Sequence, residues 1–133
     1  MDDGRRREID QKMKSKIRTV RDLKVYRKAF DSAMEIFEIT KKFPKEELFG
    51  LTSQFKRAAV SIPANIAEGF RKRGKKDKAR FFNIAQGSLE ECKYYLILTE
   101  DLGYAPVKDE FNLAEEISKL LTAYSKKILT SIS

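Results

Sequence analysis

Apolar residues recur every three to four positions through most of this chain, the spacing that lines them along one side of an α-helix. The first strong run starts near Asp22, which predicts an N-cap there, and continues to about Lys42. Val25, Ala29, Ala33, Ile36 and Thr40 form one stripe, with Tyr26, Phe30, Met34 and Phe37 beside it. That face is wider than a single seam needs. It either serves one thick core or leaves Tyr26, Phe30 and Phe37 as a surface for contact between subunits.

Phe43-Pro44 predicts the end of this helix, because proline restricts the residue before it and donates no amide. Residues 44–50 then read as a connection, with a short turn at Lys45-Glu46-Glu47. The second helix is predicted over about Leu51 to Phe70, from the steps through Leu51, Phe55, Ala58, Ala59, Ile62, Ile66 and Phe70. Pro63 falls inside it, and the clash of its ring with the Ala59 carbonyl predicts a kink. Ala58, Ala59, Ser61, Ala64 and Ala67 are small enough to admit a neighbouring helix closely.

A third helix is predicted from Lys75 to Leu102, with Phe81, Ile84, Ala85, Ser88, Leu89, Cys92, Tyr95, Leu96 and Thr99 along one side. Gly87 inside it costs about 1 kcal/mol relative to Ala, which predicts close backbone packing against the small-residue helix. Leu102-Gly103-Tyr104 supplies a glycine stop. The fourth helix follows Pro106 and runs to about Ile128 through Phe111, Ala114, Ile117, Leu121 and Tyr124. The fold class is therefore all-α, an antiparallel up-down-up-down four-helix bundle over residues 22–133. Residues 1–21 form a charged extension with a thin stripe through Ile9, Met13, Ile17 and Val20. It is either a frayed leader or a partly helical arm that orders on a partner.

Composition agrees with long amphipathic helices. The 133 residues fit one domain, 36% are charged, and only three prolines and six glycines are available for turns. A single cysteine, Cys92, forms no internal disulfide and points to a reducing compartment. No apolar block follows the basic start, and no stretch approaches the roughly 18 apolar residues of a membrane span. A cytoplasmic location away from membranes is expected. Histidine is absent, which removes the usual proton shuttle at neutral pH, and one cysteine cannot build a common zinc site. No metal, cofactor or enzymatic activity is expected.

The charge is unevenly placed. From Arg71 to Arg80 the basic side chains are Arg71, Lys72, Arg73, Lys75, Lys76, Lys78 and Arg80, against one acid, Asp77. Seven minus one gives +6 of the chain's net +8. This connector between the second and third helices is the candidate contact for phosphate groups of RNA or DNA, or for an acidic protein. No base-reading motif or aromatic stacking platform accompanies it, since Phe70, Phe81 and Phe82 read as core or interface. Asn65 and Glu68 share a side of the second helix and read as structural polar residues. Glu68 is within reach of Arg71 or Lys72, Asn65 of a backbone group freed by Pro63 or of a neighbouring polar residue, and Glu90 and Glu91 are candidates to face them.

Asp22-Leu23-Lys24-Val25-Tyr26, Gly50-Leu51-Thr52-Ser53-Gln54 and the run Arg57-Ala58-Ala59-Val60-Ser61-Ile62-Pro63-Ala64-Asn65-Ile66-Ala67-Glu68-Gly69 resemble the 23S ribosomal RNA intervening-sequence protein family. Phe81-Phe82-Asn83-Ile84-Ala85-Gln86-Gly87-Ser88-Leu89-Glu90-Glu91 is similar to the family's third-helix motif, so the likeness covers about residues 22–125. The resemblance implies a left-handed bundle assembled as a ring-like homopentamer, with no catalytic residues to carry over. A similar architecture occurs in the accessory protein of diversity-generating retroelements, a basic pentamer that works with a reverse transcriptase and nucleic acid. A homo-oligomer with a basic rim is therefore expected, with RNA or DNA, or a protein such as a reverse transcriptase, as partner.

Overall fold

Four helices carry the chain, with no strand among the described residues, 20–131 of the computed structural model. Helix α1 spans Lys24–Thr40, α2 Ser53–Arg71, α3 Lys75–Asp101 and α4 Lys108–Thr130. Of the extension's stripe, Ile9, Met13 and Ile17 lie outside these residues, while Val20 is buried. The helical stripes converge on one core. Val25, Ala29 and Ile36 meet Phe55, Ala59, Ile62 and Ile66, then Phe82, Leu89 and Leu96, then Ala114, Ile117 and Leu121. Each fully buried Leu, Ile or Phe contributes about 1.5–3 kcal/mol, so this packing, more than helix propensity, holds the elements.

Contacts run round a closed circuit, α1 to α2 to α3 to α4 and back to α1. Between α2 and α3, Ser61 pairs with Ser88 at 2.8 Å and Gln54 with Tyr95 at 3.1 Å. Between α3 and α4, Gln86 donates to Thr122 at 2.9 Å, and Lys93 meets Glu115 at 3.0 Å. In both sets the residue number rises on one helix as it falls on the other.

The element ends depart from the sequence-based expectation where capping is involved. Asp22 does not cap α1. Leu23 holds that position, with no side-chain hydrogen bond, and the helix begins at Lys24. It stops at Thr40, before Phe43-Pro44, because the amides of Lys41, Lys42 and Phe43 bond three residues back at 3.1–3.2 Å and tighten the chain. The turn at Lys45–Glu47 is present, but a wide helical turn over Leu48–Thr52 follows it and delays α2 to Ser53. Gly50 breaks the helical angles there, with φ −114° and ψ −107°, and Phe49 beside it is 93% exposed. Pro63 lies buried inside α2.

The glycines correct a second expectation. A Cβ on Gly87 would meet nothing within 4 Å, so that residue is not packed against α2. The close approach is at Gly69, where a Cβ would stand 2.9 Å from Phe82 Cε1 and 3.1 Å from Phe81 Cβ. Gly103 ends α3 in the left-handed region at φ 73°, with its amide bonded to Glu100 and that of Tyr104 to Thr99, both at 3.0 Å. Gly103→Ala should lower stability by about 1 kcal/mol, read as a lower urea midpoint at unchanged slope.

Candidate nucleic-acid interface

The basic connector begins where α2 ends. Arg71 is the last residue of α2, Lys72 and Gly74 have extended backbones, and α3 restarts at Lys75. The seven basic residues of this segment divide by what they touch. Lys78 reaches back to the end of α2, donating to the carbonyls of Phe70 at 2.8 Å and Gly69 at 3.4 Å. It satisfies the Phe70 carbonyl that the helix end leaves open, adds to the Lys72 amide already on Gly69, and opposes the negative end of the dipole. Lys75 donates to the Ser131 carbonyl just past α4. Lys72 lies 4.0 Å from Glu68 and 5.0 Å from the centre of the Phe81 ring, with Arg80 at 5.1 Å from the same ring. Arg71, Arg73, Lys76 and Arg80 are exposed.

Phe81 and Phe70 are therefore half-buried rings carrying cations, while Phe82 is core at 1% exposure. The dipoles sort the charges further. Cations in the last turn of α2 stabilise that helix, whereas Lys75 and Lys76 stand in the first turn of α3, where the dipole is positive. Their own helix gains nothing from them. Exposed Lys76 beside a helix start favours an anion there.

More positive charge joins this pole than the connector alone supplies. Exposed Arg21, Lys24 and Arg27 lie at the start of α1, and exposed Lys126 and Lys127 at the end of α4. Pairings such as Phe82 with Tyr124 (ring centres 5.6 Å apart) and Lys75 with Ser131 bring the end of α4 to the start of α3. The linear sequence does not single these residues out, because each group is small. The signal is visible once opposite helix ends are laid side by side.

The other pole is acidic. Glu38, Glu46, Glu47, Glu100, Asp101, Asp109 and Glu110 gather there, partly offset by Lys41, Lys42, Lys45 and Lys108. On α1 nearby, the Glu35 carboxyl is held above its usual range by partial loss of water and by Glu110, Asp31 and Asp109. A carboxyl raised in the folded state binds protons more tightly there, so its contribution favours folding at acid pH and is lost as pH rises. Glu35→Gln should thus raise stability at pH 7 by no more than about 0.5 kcal/mol, given solvent screening. The gain should vanish below the ordinary glutamate range, as checked by melting temperatures across pH.

Asn65 donates to the Ser61 carbonyl at 2.8 Å and to Ser61 Oγ at 2.9 Å, and Ser61 meets Ser88 of α3. Of the two partners expected for it, Asn65 takes the neighbouring polar residue, Ser61, and not the Ala59 carbonyl opposite Pro63. Glu90 and Glu91 do not pair with Asn65 or Glu68; Glu90 pairs with Lys93 at 3.2 Å, and Glu91 accepts from Tyr95 at 2.9 Å. Tyr26, Phe30 and Phe37 line a groove of about 310 Å³ between α1 and α2, and Phe30 is 43% exposed. Burial, with Glu91 adding to it, pushes the Cys92 thiol up to about 12, leaving it unreactive. Among the described residues no cluster of three metal-ligating side chains occurs, and no helix is long and apolar enough to cross a membrane.

The family model described as 23S rRNA-intervening sequence protein matches residues 21–125. No curated protein matches the chain. Among solved structures, a protein of unknown function from the S23 ribosomal protein family of Bacteroides thetaiotaomicron VPI-5482 is similar, with 29% identity and a TM-score of 0.71. The alignment covers 77% of this chain and 95% of that one.

Proposed function

The chain belongs to the 23S rRNA-intervening sequence protein family, and from that premise we propose a non-enzymatic, oligomeric bundle whose basic pole contacts RNA or DNA. The contacts are electrostatic and indifferent to base sequence. One observation carries the reading: exposed cations outnumber acids at one pole, and Lys76 among them stands against its own helix dipole. Phosphates are the anions that such a surface takes up with little geometric demand.

The architecture proposed with it is a left-handed, up-down-up-down bundle bent at Pro63, assembled as a cytoplasmic homopentamer. The opposed numbering of the α2/α3 and α3/α4 pairs supports the direction of the helices, and Pro63 inside α2 supports the bend. In a cyclic assembly every copy turns the same pole to one rim, so the rim's charge multiplies and weak contacts act together. A second reading, a scaffold for a protein such as a reverse transcriptase, draws on the acidic pole and exposed Phe49.

Labelled RNA and duplex DNA of equal length, titrated over a salt series with anisotropy detection, test the proposal. Binding that weakens linearly in log salt, with no sequence preference, is expected. Absence of binding at low salt, together with a co-purifying protein, selects the scaffold.

A further inference from the structure

Helix α3 carries apolar residues on the side turned away from the core. Ile84 is 43% exposed and Tyr94 58%. Gly87 sits among them, exposed and with open space around its missing side chain. A glycine in the middle of a 27-residue helix costs about 1 kcal/mol relative to Ala, and nothing among the described residues uses the gap it leaves. Between Asn83 and Asp101 the charged residues are acidic except Lys93, whose amine is turned onto Glu90 and Glu115.

A different face of the molecule has the converse shape. The groove between α1 and α2 is floored by Ala64, Ala67 and Pro63 and walled by Phe30 and Val60, the latter 44% exposed. Arg57 is exposed one turn before Val60 on α2, and Lys56 lies over the Phe37 ring at 4.9 Å. An apolar trough with basic residues on α2 thus matches an apolar ridge interrupted by Glu90 and Glu91. Large apolar surfaces left open in this way mark association, and charge of opposite sign fixes which surfaces meet.

We infer that the outer ridge of α3 from one copy seats in the α1/α2 groove of the next copy. Because ridge and groove are different surfaces, the contact is head-to-tail, and each copy keeps one of each for a further neighbour. The level also agrees. Ser88 bonds Ser61 across one subunit, so Gly87 stands at the height of Val60 to Ala64. A rotation about an axis parallel to the helices preserves height, and brings the Gly87 gap opposite Val60 and Ala64 of the neighbour. The missing Cβ then lets the two helices close up. This inference rests on the oligomeric reading above and specifies its joint.

Two variants that each add one cysteine, Ala64→Cys and Gly87→Cys, test it by oxidation alone and mixed after a denaturation and refolding cycle. Cys92 remains in all samples, buried and with its thiol pushed up to about 12. A disulfide-linked dimer that forms in the mixture and not in either variant alone is expected, with unmodified protein shown oligomeric by light scattering. Self-linking of either variant, or an oligomer without mixed linking, overturns this joint while leaving the assembly standing. A monomer at micromolar concentration removes the oligomeric reading itself. As a check independent of cysteine, Val60→Glu and Tyr94→Glu, both at exposed positions, should each lower the assembly mass with helix content by circular dichroism unchanged; an unaltered mass for both overturns the inference.

Discussion

Phe82→Ala should destabilise the protein by about 4 kcal/mol, in the range for a large aromatic removed from a closed core. Phe82 is 1% exposed, meets Tyr124 edge-on at 5.6 Å with planes 89° apart, and packs under Gly69. It joins three helices where α2 hands over to α3. Truncation leaves a cavity that the Gly69 backbone cannot fill without moving the last turn of α2, so little of the loss is recovered by collapse. Against a typical total of about 5–15 kcal/mol, the loss takes a large share of stability. Phe81→Ala is the control. That ring is half-buried and carries Lys72 and Arg80, so its removal should cost about 1 kcal/mol. Urea midpoints at one fixed protein concentration measure both, since association shifts apparent stability. Equal midpoints for the two variants would contradict the division of roles.

The adjacent pair Phe81-Phe82 also shows how far the sequence could be read. The all-α class and four helical segments follow from apolar periodicity, because a 3.6-residue repeat sustained over four turns matches a helix and neither a strand nor a loop. Cap positions do not follow. Asp22 has the chemistry of an N-cap, yet Leu23 occupies the position without any side-chain bond. Gly87 and Gly69 illustrate the same limit. Both are glycines within helical patterns, and only three-dimensional neighbours decide that one adjoins Phe82 and the other open space. Within the candidate site, the density of charge was legible and its division was not. Nothing in the string distinguishes Lys76 from Lys78, whereas the fold turns one outward and draws the other onto the carbonyls of α2. The contributions of Arg21, Lys24, Lys126 and Lys127 to the same pole depend on helix order, which a linear charge count does not contain.

That division sets the result of neutralising the pole. Replacing Arg71, Arg73 and Lys76 together by Ser should lower affinity for labelled RNA or duplex DNA at least about tenfold at low salt, a loss of roughly 1.4 kcal/mol. The three are exposed, and no hydrogen bond or ion pair holds them in the described structure, so the folded state loses little beyond the small dipole term at Arg71. Removing each phosphate-binding cation should also flatten the slope of log affinity against log salt by about 0.9 on duplex DNA. The slope matters more than the affinity, because it counts ionic contacts and is insensitive to the fraction of active protein. Lys78→Ala separates fold from binding. It removes a charged donor from the end of α2 and should cost about 1 kcal/mol of stability. Its salt slope should stay near that of the unaltered protein, because its amine is committed to the Phe70 and Gly69 carbonyls. If the triple variant keeps the original slope, phosphate is not bound at the connector. If Lys78→Ala flattens the slope as much as the triple variant does, then its amine leaves the carbonyls for phosphate, and the division between structural and binding cations is wrong.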